Sequence, residues 1–295
     1  MTNHCRIELH DVAFRLQQKH DFHWLEELGR VFAVFDQQDS GNIGFGVESG
    51  AGKFFVKYAG AKTLAYSGGE QEAIANLKTA VRLYHELRHP SLVTLVDHFY
   101  AGSGYAAIFK WFEGESLHPH WSFPPPDKYT HPDSPYYRFR RLSVEQRLES
   151  LDRIFSFHEF VAQNGFVAVD FYDGSLMYDF EKNEIQICDI DLYQRKPFVN
   201  TMGRLWGSSR FMSPEEFEFG APIDERTNVF TMGATAFALL GGELDRSFEK
   251  WEAGEALYQV ALQAVNPDRM TRYESLTEMK RAWDSALKSS RHGLR

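Results

Sequence analysis

Two acids at the ends of short apolar runs mark where this chain could do chemistry. Asn164-Gly-Phe-Val-Ala-Val-Asp170 reads as a turn, a short buried strand and a carboxylate at its end, with Asp173 and Ser175 close behind. A second apolar run, Glu184-Ile-Gln-Ile-Cys188, ends in Asp189-Ile-Asp191. The turn residues Glu181-Lys-Asn183 lie between that run and Leu176-Met-Tyr-Asp179, which predicts a hairpin that brings the two sets of acids together. Grouped oxygen donors suit magnesium, a hard cation held by carboxylates together with substrate phosphates. Transfer of a phosphoryl group also needs an acid beside the attacking hydroxyl and positive charge on the phosphates. Lys57 closes the apolar run Lys53-Phe-Phe-Val-Lys57. An ammonium there either snorkels to water or meets an anion, because burying it alone is costly.

The elements that must position these groups are legible along the chain. From Phe22 to Tyr58 strand-like runs (Gly29 to Phe35, Ile43 to Val47, Lys53 to Tyr58) alternate with the turns Asp39-Ser-Gly-Asn42 and Gly50-Ala-Gly52. They predict an antiparallel meander that carries Lys57. Ser67 and Glu70 have the spacing of a capping box, and Ile74, Leu77, Val81 and Tyr84 share one face of the helix that follows, which Pro90 stops. Leu92 to Val96 and Tyr105 to Phe109 are two more strand-like runs. Residues 1–20 read as a short polar helix or extension. Residues 118–141 hold six of the eleven prolines, interleaved with Trp121, Phe123, Tyr129, Tyr136 and Tyr137. Beyond them the chain is mainly helical. Five strands and a helix, an insertion and then a helical half predict an α+β chain of two unequal lobes.

Composition narrows the function classes. With 295 residues, 43% of them hydrophobic, the chain can bury one or two substantial cores. A formal charge of −9 with no long basic run gives no footprint for nucleic acid. No apolar run is long enough to cross a bilayer, and the N-terminus lacks the layout of a secretory signal. Two distant cysteines, Cys5 and Cys188, argue against a disulfide framework, so a cytoplasmic location is expected. His118, His120 and His131 lack further ligands at structural-zinc spacing and read as solvated loop residues.

Taken in order, these segments resemble the protein kinases, and bacterial serine/threonine kinases in particular. Asn164 to Asp179 runs without a gap beside the family's catalytic loop, N-G-I-I-H-R-D-L-K-P-E-N-I-L-L-D, and Asp189-Ile-Asp191 falls at its Asp-Phe-Gly. Gly207-Ser-Ser-Arg-Phe-Met-Ser-Pro-Glu215 is similar to G-T-P-x-Y-M-A-P-E, and Leu87-Arg-His-Pro-Ser-Leu-Val93 to L-x-H-P-N-I-V. Phe109 to Leu117 resembles the hinge pattern, Asp224 to Gly233 resembles D-x-R-S-D-V-Y-S-L-G, and Arg272-Tyr-Glu-Ser-Leu276 resembles a late R-Y-x-S motif. The matches span about residue 22 to 284.

The resemblance implies a bilobal protein-kinase-like fold. Residues 1–20 would be an N-terminal extension, 21–113 a small sheet lobe with one helix, and 114–295 a larger helical lobe carrying the 118–141 insertion. It also implies an ATP- and Mg2+-dependent enzyme that phosphorylates a protein on serine or threonine. Lys57 would hold the ATP phosphates, Asp170 would orient the acceptor hydroxyl and take its proton, and Asp189 would hold magnesium. Gly41, Phe45 and Gly46 would form the lid over the phosphates, and backbone groups of Lys110, Trp111 and Phe112 would meet the adenine edge. Ser208 would contact the catalytic acid, and Glu215 and Arg272 would form a buried supporting pair. The insertion would pack on the larger lobe.

Several positions depart from the pattern. Ala80 stands where the lysine-pairing glutamate is expected, and Ala168-Val169 where the family has His-Arg. Tyr172 replaces a lysine that stabilises the transferring phosphate, Ser175 an asparagine that binds metal, and Asn228 an aspartate. In a divergent kinase, Asp173 and Asp191 would repair the metal site. The alternatives are a pseudokinase that works as a nucleotide-binding or interaction scaffold, and a small-molecule phosphotransferase.

Overall fold

The structure, a computed structural model, describes residues 4–37, 39–119 and 121–292 of a mixed α+β chain. The chain forms two compact units, Met1–Phe112 and Glu113–Arg295. Among the described residues, no helix is long and apolar enough to cross a membrane.

The first unit opens with a hairpin, β1 (Cys5–Leu9) and β2 (Val12–Leu16), where a polar helix or extension was expected. Alternation explains the difference. Ile7, Leu9, Phe14 and Leu16 fall on one face and join the core, while Arg6, Glu8 and Arg15 face out. A short helix, α1 (Trp24–Leu28), leads to β3 (Arg30–Phe35), β4 (Asn42–Ser49) and β5 (Gly52–Ala59). Helix α2 (Glu70–Glu86) and strands β6 (Leu95–Ala101) and β7 (Gly104–Lys110) complete an antiparallel sheet of order β3-β4-β5-β7-β6. One sheet face carries Ile43, Phe45, Val47, Val56 and Tyr58, packed with Phe14 of the hairpin, Leu25 of α1 and Phe22 between them. Helix α2 packs against β5 and β7 and buries Ile74, Leu77, Val81 and Tyr84, as the spacing predicts. Its N-cap is Gly69, with no side-chain cap, so the Ser67–Glu70 capping box does not form.

The second unit begins with β8 (Glu115–Ser116), α3 (Asp127–Thr130), α4 (Pro135–Arg140) and the long α5 (Val144–Gln163), whose N-terminus is closed by a Ser143–Gln146 capping box. Five strands follow: β9 (Phe166–Val167), β10 (Leu176–Asp179), β11 (Glu184–Ile187), β12 (Gln194–Arg195) and β13 (Phe198–Val199). β10 and β11 form the expected antiparallel hairpin, β8 adds to its edge, and β9 pairs with β12. After β14 (Pro222–Ile223), helices α6 (Glu225–Leu240), α7 (Glu255–Ala264) and α8 (Leu276–His292) close the unit. α6 is apolar on every side and buried almost throughout, so it sits in the middle of the helical core. Its Gly233 allows the close approach of α7, because a Cβ there would lie 2.7 Å from that of Ala264.

Residues 118–141 pack on this unit as expected. Tyr136 donates to the Ala238 carbonyl at 2.7 Å, and Arg140 reaches Glu252 and the Leu239 carbonyl. His118 lies 3.4 Å from Asp173, and His131 accepts from the Asp133 amide at 3.2 Å. His120 lies outside the described residues.

Candidate active site

In the second unit the backbone ahead of Asp170 is fixed by Asn228. Its side-chain oxygen accepts from the Ala168 amide at 2.9 Å, and its amide donates to the Phe166 carbonyl at 2.9 Å. An ionised aspartate could accept the first bond but not donate the second, so the substitution flagged in the sequence strengthens the anchor. His158, buried on α5, packs against Phe171 with ring centroids 4.2 Å apart, and its two ring nitrogens lie 2.8 Å from the Ile154 carbonyl and 2.9 Å from the Tyr193 hydroxyl. The carbonyl can only accept, so Nδ1 carries a proton and donates to it.

Asp170 and Asp189 both have φ of 62°, left-handed backbone that few residues other than glycine adopt. Such positions concentrate at functional sites, where the surrounding structure enforces them. Asp170 is half-buried and Asp189 exposed. The two carboxylates act on the same two phenols. Burial, then the charges of Asp170 and Asp189, push the Tyr172 hydroxyl far above its ordinary range. Burial, with Asp189 and Asp170 behind it, does the same to Tyr193. The loop carrying Asp173 and Ser175 is tied to the end of β11, since the Cys188 amide donates to the Ser175 carbonyl at 2.9 Å. Gly207 lies against Asp170, a Cβ there being 3.5 Å from the Asp170 Cα, and its φ of 139° requires glycine.

Asp173 is placed differently from the expectation that it joins a metal shell. Its carboxylate is fully buried and taken by cations: Lys128 at 2.5 Å, and Arg210 through two bonds of 2.7 and 2.9 Å. Burial pushes the Asp173 carboxyl up, but the Arg210 bonds and the charges of Lys128, Arg210 and His118 outweigh it and hold the group below the usual range. Burial, opposed by Asp173, also lowers Lys128. Lys128 had no signal in the sequence, being one lysine in a proline-rich stretch with its partner 45 residues away. Ser208 accepts from Arg210 Nε at 3.2 Å. Ser175 is buried and Asp191 half-buried. Glu215 and Arg272 form the expected buried pair, with bonds of 2.7 and 3.0 Å.

In the first unit Lys57 is half-buried on β5, opposite Gly44 of β4 and Ala107 of β7. Phe55 shares its face, and its ring covers Gly44, where a Cβ would come within 2.7 Å. Phe32 covers Gly46 in the same way. Strand alternation turns Phe45 to the opposite face, where it is fully buried against Phe14 and Phe22, so it is a core residue and not part of a lid. Gly41 has φ of 79° and lies against Tyr66 and Ala73, which gives it a packing reason of its own. The Lys110 and Trp111 amides donate to the carbonyls of Thr94 and Lys53, so neither is left for an adenine edge. Phe112 is half-buried where the unit ends. Ala80 is buried on α2. The two acids earlier in the helix are engaged elsewhere, Glu70 with Gln18 and Glu72 with Tyr66.

Among the described residues no cluster of three or more His, Cys, Asp or Glu side chains is placed to hold a metal. The exposed carboxylate of Asp189 is the kind of oxygen donor that magnesium takes together with phosphates and water. No family model matches the chain, and no curated protein matches it.

Proposed function

We propose that this chain is an ATP-dependent protein kinase of divergent type, with a bilobal kinase-like fold, transferring phosphate to a serine or threonine hydroxyl. The observation that carries the reading is the pair Asp170 and Asp189, both in left-handed backbone and both acting on Tyr172 and Tyr193. The sheet with the long helix α2 packed on it, and the lysine on the middle strand, agree with it.

Magnesium-bound ATP supplies the phosphoryl group and the charge that polarises it. Asp189 and Asp170 are the residues that would hold the metal and accept the proton of the acceptor hydroxyl. Lys57 would bind phosphate oxygens as a point charge. The Tyr172 phenol remains protonated at neutral pH, so it offers a hydrogen-bond donor in place of a cation. Losing one such charged stabiliser typically costs a factor of about 10²–10³ in rate, so slow turnover is expected. The test is transfer from radiolabelled ATP to dephosphorylated casein or to the chain itself. Asp170→Ala and Asp189→Asn should each abolish it, and absence of calorimetric binding of magnesium–ATP would overturn the reading.

A second reading, an interaction module without transfer, is favoured by the commitment of Asp173 to Lys128 and Arg210 and by the rings over Gly44 and Gly46. Nucleotide binding without transfer, equal in wild type and Asp170→Ala, would select it.

A further inference from the structure

The buried charges around Asp173 join four parts of the second unit that are distant in sequence. Lys128 comes from α3 in the insertion, Asp173 from the turn after Asp170, Arg210 from the segment after Gly207, and Glu243 from the loop after α6. Asp173 and Lys128 have no exposed side-chain surface, and Arg210 and Glu243 have little. Arg210 is the hub. It grips Asp173 through both terminal nitrogens, reaches Glu243 at 2.9 Å, and donates from Nε to Ser208. Lys128 adds a second cation on Asp173, seated over the Tyr136 and Tyr129 rings at 4.2 and 5.0 Å. A bidentate arginine–carboxylate pair fixes direction as well as distance.

Only Phe171 and Tyr172 separate Asp170 from Asp173, and only Ser208 and Ser209 separate Gly207 from Arg210. The cluster therefore clamps both chains just beyond the point where Gly207 lies against Asp170. Tyr172, between the two acids, is held at its ring by His118 at 5.5 Å and by Phe211 at 6.5 Å. A surface role does not call for two fully buried ions, which are costly unless every partner is in place.

We propose that Arg210 and Lys128 are positioning residues. Acting through Asp173, they hold the turn that carries Asp170 and Tyr172 in register with the Ser208 segment, so that the catalytic acid is set by charges recruited from the insertion. This rests on the phosphotransfer reading above. A displacement of about 1 Å in a catalytic group can cost roughly 10²-fold in rate. Misplacing Asp170 should therefore lower kcat and leave ATP binding alone.

The experiment uses the full chain and three variants, Arg210→Gln, Arg210→Lys and Lys128→Met. Circular dichroism and thermal melting select the variants that fold. Steady-state transfer from radiolabelled ATP to casein gives kcat and KM per folded molecule, and hydrogen exchange is followed in peptides covering 168–176 and 206–212. The expected result for Arg210→Gln is a fall in kcat of about 10²-fold with KM for ATP within about twofold, and faster exchange in both peptides. Arg210→Lys should recover part of the rate, and Lys128→Met should show a smaller fall of the same kind. Unchanged kcat in a folded Arg210→Gln would overturn the proposal, as would unchanged exchange or a change confined to KM. A wild type as inert as Asp170→Ala would overturn the phosphotransfer reading itself, and the positioning role with it.

Discussion

Two buried ion clusters in the second unit invite comparison. In one, Glu215 meets Arg272; in the other, Asp173 meets Lys128 and Arg210. Both rest on a bidentate arginine–carboxylate pair out of water, and in both the carboxyl is pulled below its ordinary range by cations that outweigh burial. They differ in what surrounds the cation. Arg272 also donates to the carbonyls of Asn266, Arg226 and Pro267, so its charge is partly satisfied by backbone. Lys128 and Arg210 depend on carboxylates, Asp173 first and Glu243 second. Arg272 has backbone carbonyls as further acceptors, whereas the second cluster holds two cations on a single carboxylate centre. Removing that centre should hurt more.

The largest expected effect is therefore from Asp173→Ala. It strips two buried cations of their main partner and should cost about 5 kcal/mol, the upper end for breaking a buried pair. Glu215→Ala should cost about 3 kcal/mol, because Arg272 keeps its carbonyl acceptors. Urea unfolding followed by circular dichroism measures both, and equal losses would erase the distinction.

Acidity offers a sharper contrast. Asp173 and Glu215 have lowered folded pKa values, so their stabilisation is complete above the unfolded values of 3.8 and 4.5 and is lost as pH falls through the range below them. Glu216, next to Glu215, runs the other way. Burial pushes its carboxyl up to about 7, although it accepts from the Ser213 amide and hydroxyl. Its contribution is complete below pH 4.5 and is lost as pH rises through 7. The loss is about 3 kcal/mol for a shift from 4.5 to about 7. From pH 5 to 8 the unfolding free energy of the wild type should fall relative to that of Glu216→Gln, over a rise that both share from His20 and His89, whose pKa values burial lowers. A difference between the two profiles that does not change with pH would contradict the assignment.

The smallest effects concern hydrogen bonds at the edge of each cluster. Thr227→Val removes a buried bond of 3.1 Å to Glu215 and should cost about 1 kcal/mol. Tyr129→Phe removes an exposed bond to Glu243 and should cost about 0.5 kcal/mol. Reversal of that order in the same urea assay would show that the second cluster reaches further toward the surface than its geometry suggests.

The same comparison separates what the sequence reveals from what it conceals. The pairing of Glu215 with Arg272 was expected in advance from the resemblance of their two segments to kinase motifs, not from spacing. The β10–β11 hairpin, the meander that carries Lys57 and the buried face of α2 were legible directly, because each follows from periodicity or turn chemistry over a few residues. Lys128 was not legible, since its role depends on where a proline-rich loop meets a turn 45 residues on. Phe45 was misread because glycines on either side drew attention to the backbone, while period-two alternation sends its ring into the core. The first hairpin was misread because the arginines and glutamate of Arg6, Glu8 and Arg15 made the segment look polar, although its apolar residues alternate. Ser67 had the right spacing for a cap, but the helix begins at Glu70 with Gly69 ahead of it, so the serine lies too early.

The burial of Lys128 has a consequence for covalent labelling. Lys182 is 62% exposed, and reagents that acylate amines should mark it at once. Lys128 has no exposed surface and is salt-bridged, so it can react only when this part of the unit opens. The rate at which Lys128 acquires the label then counts those openings. Each one caught is permanent, because an acylated lysine has no charge to return to Asp173.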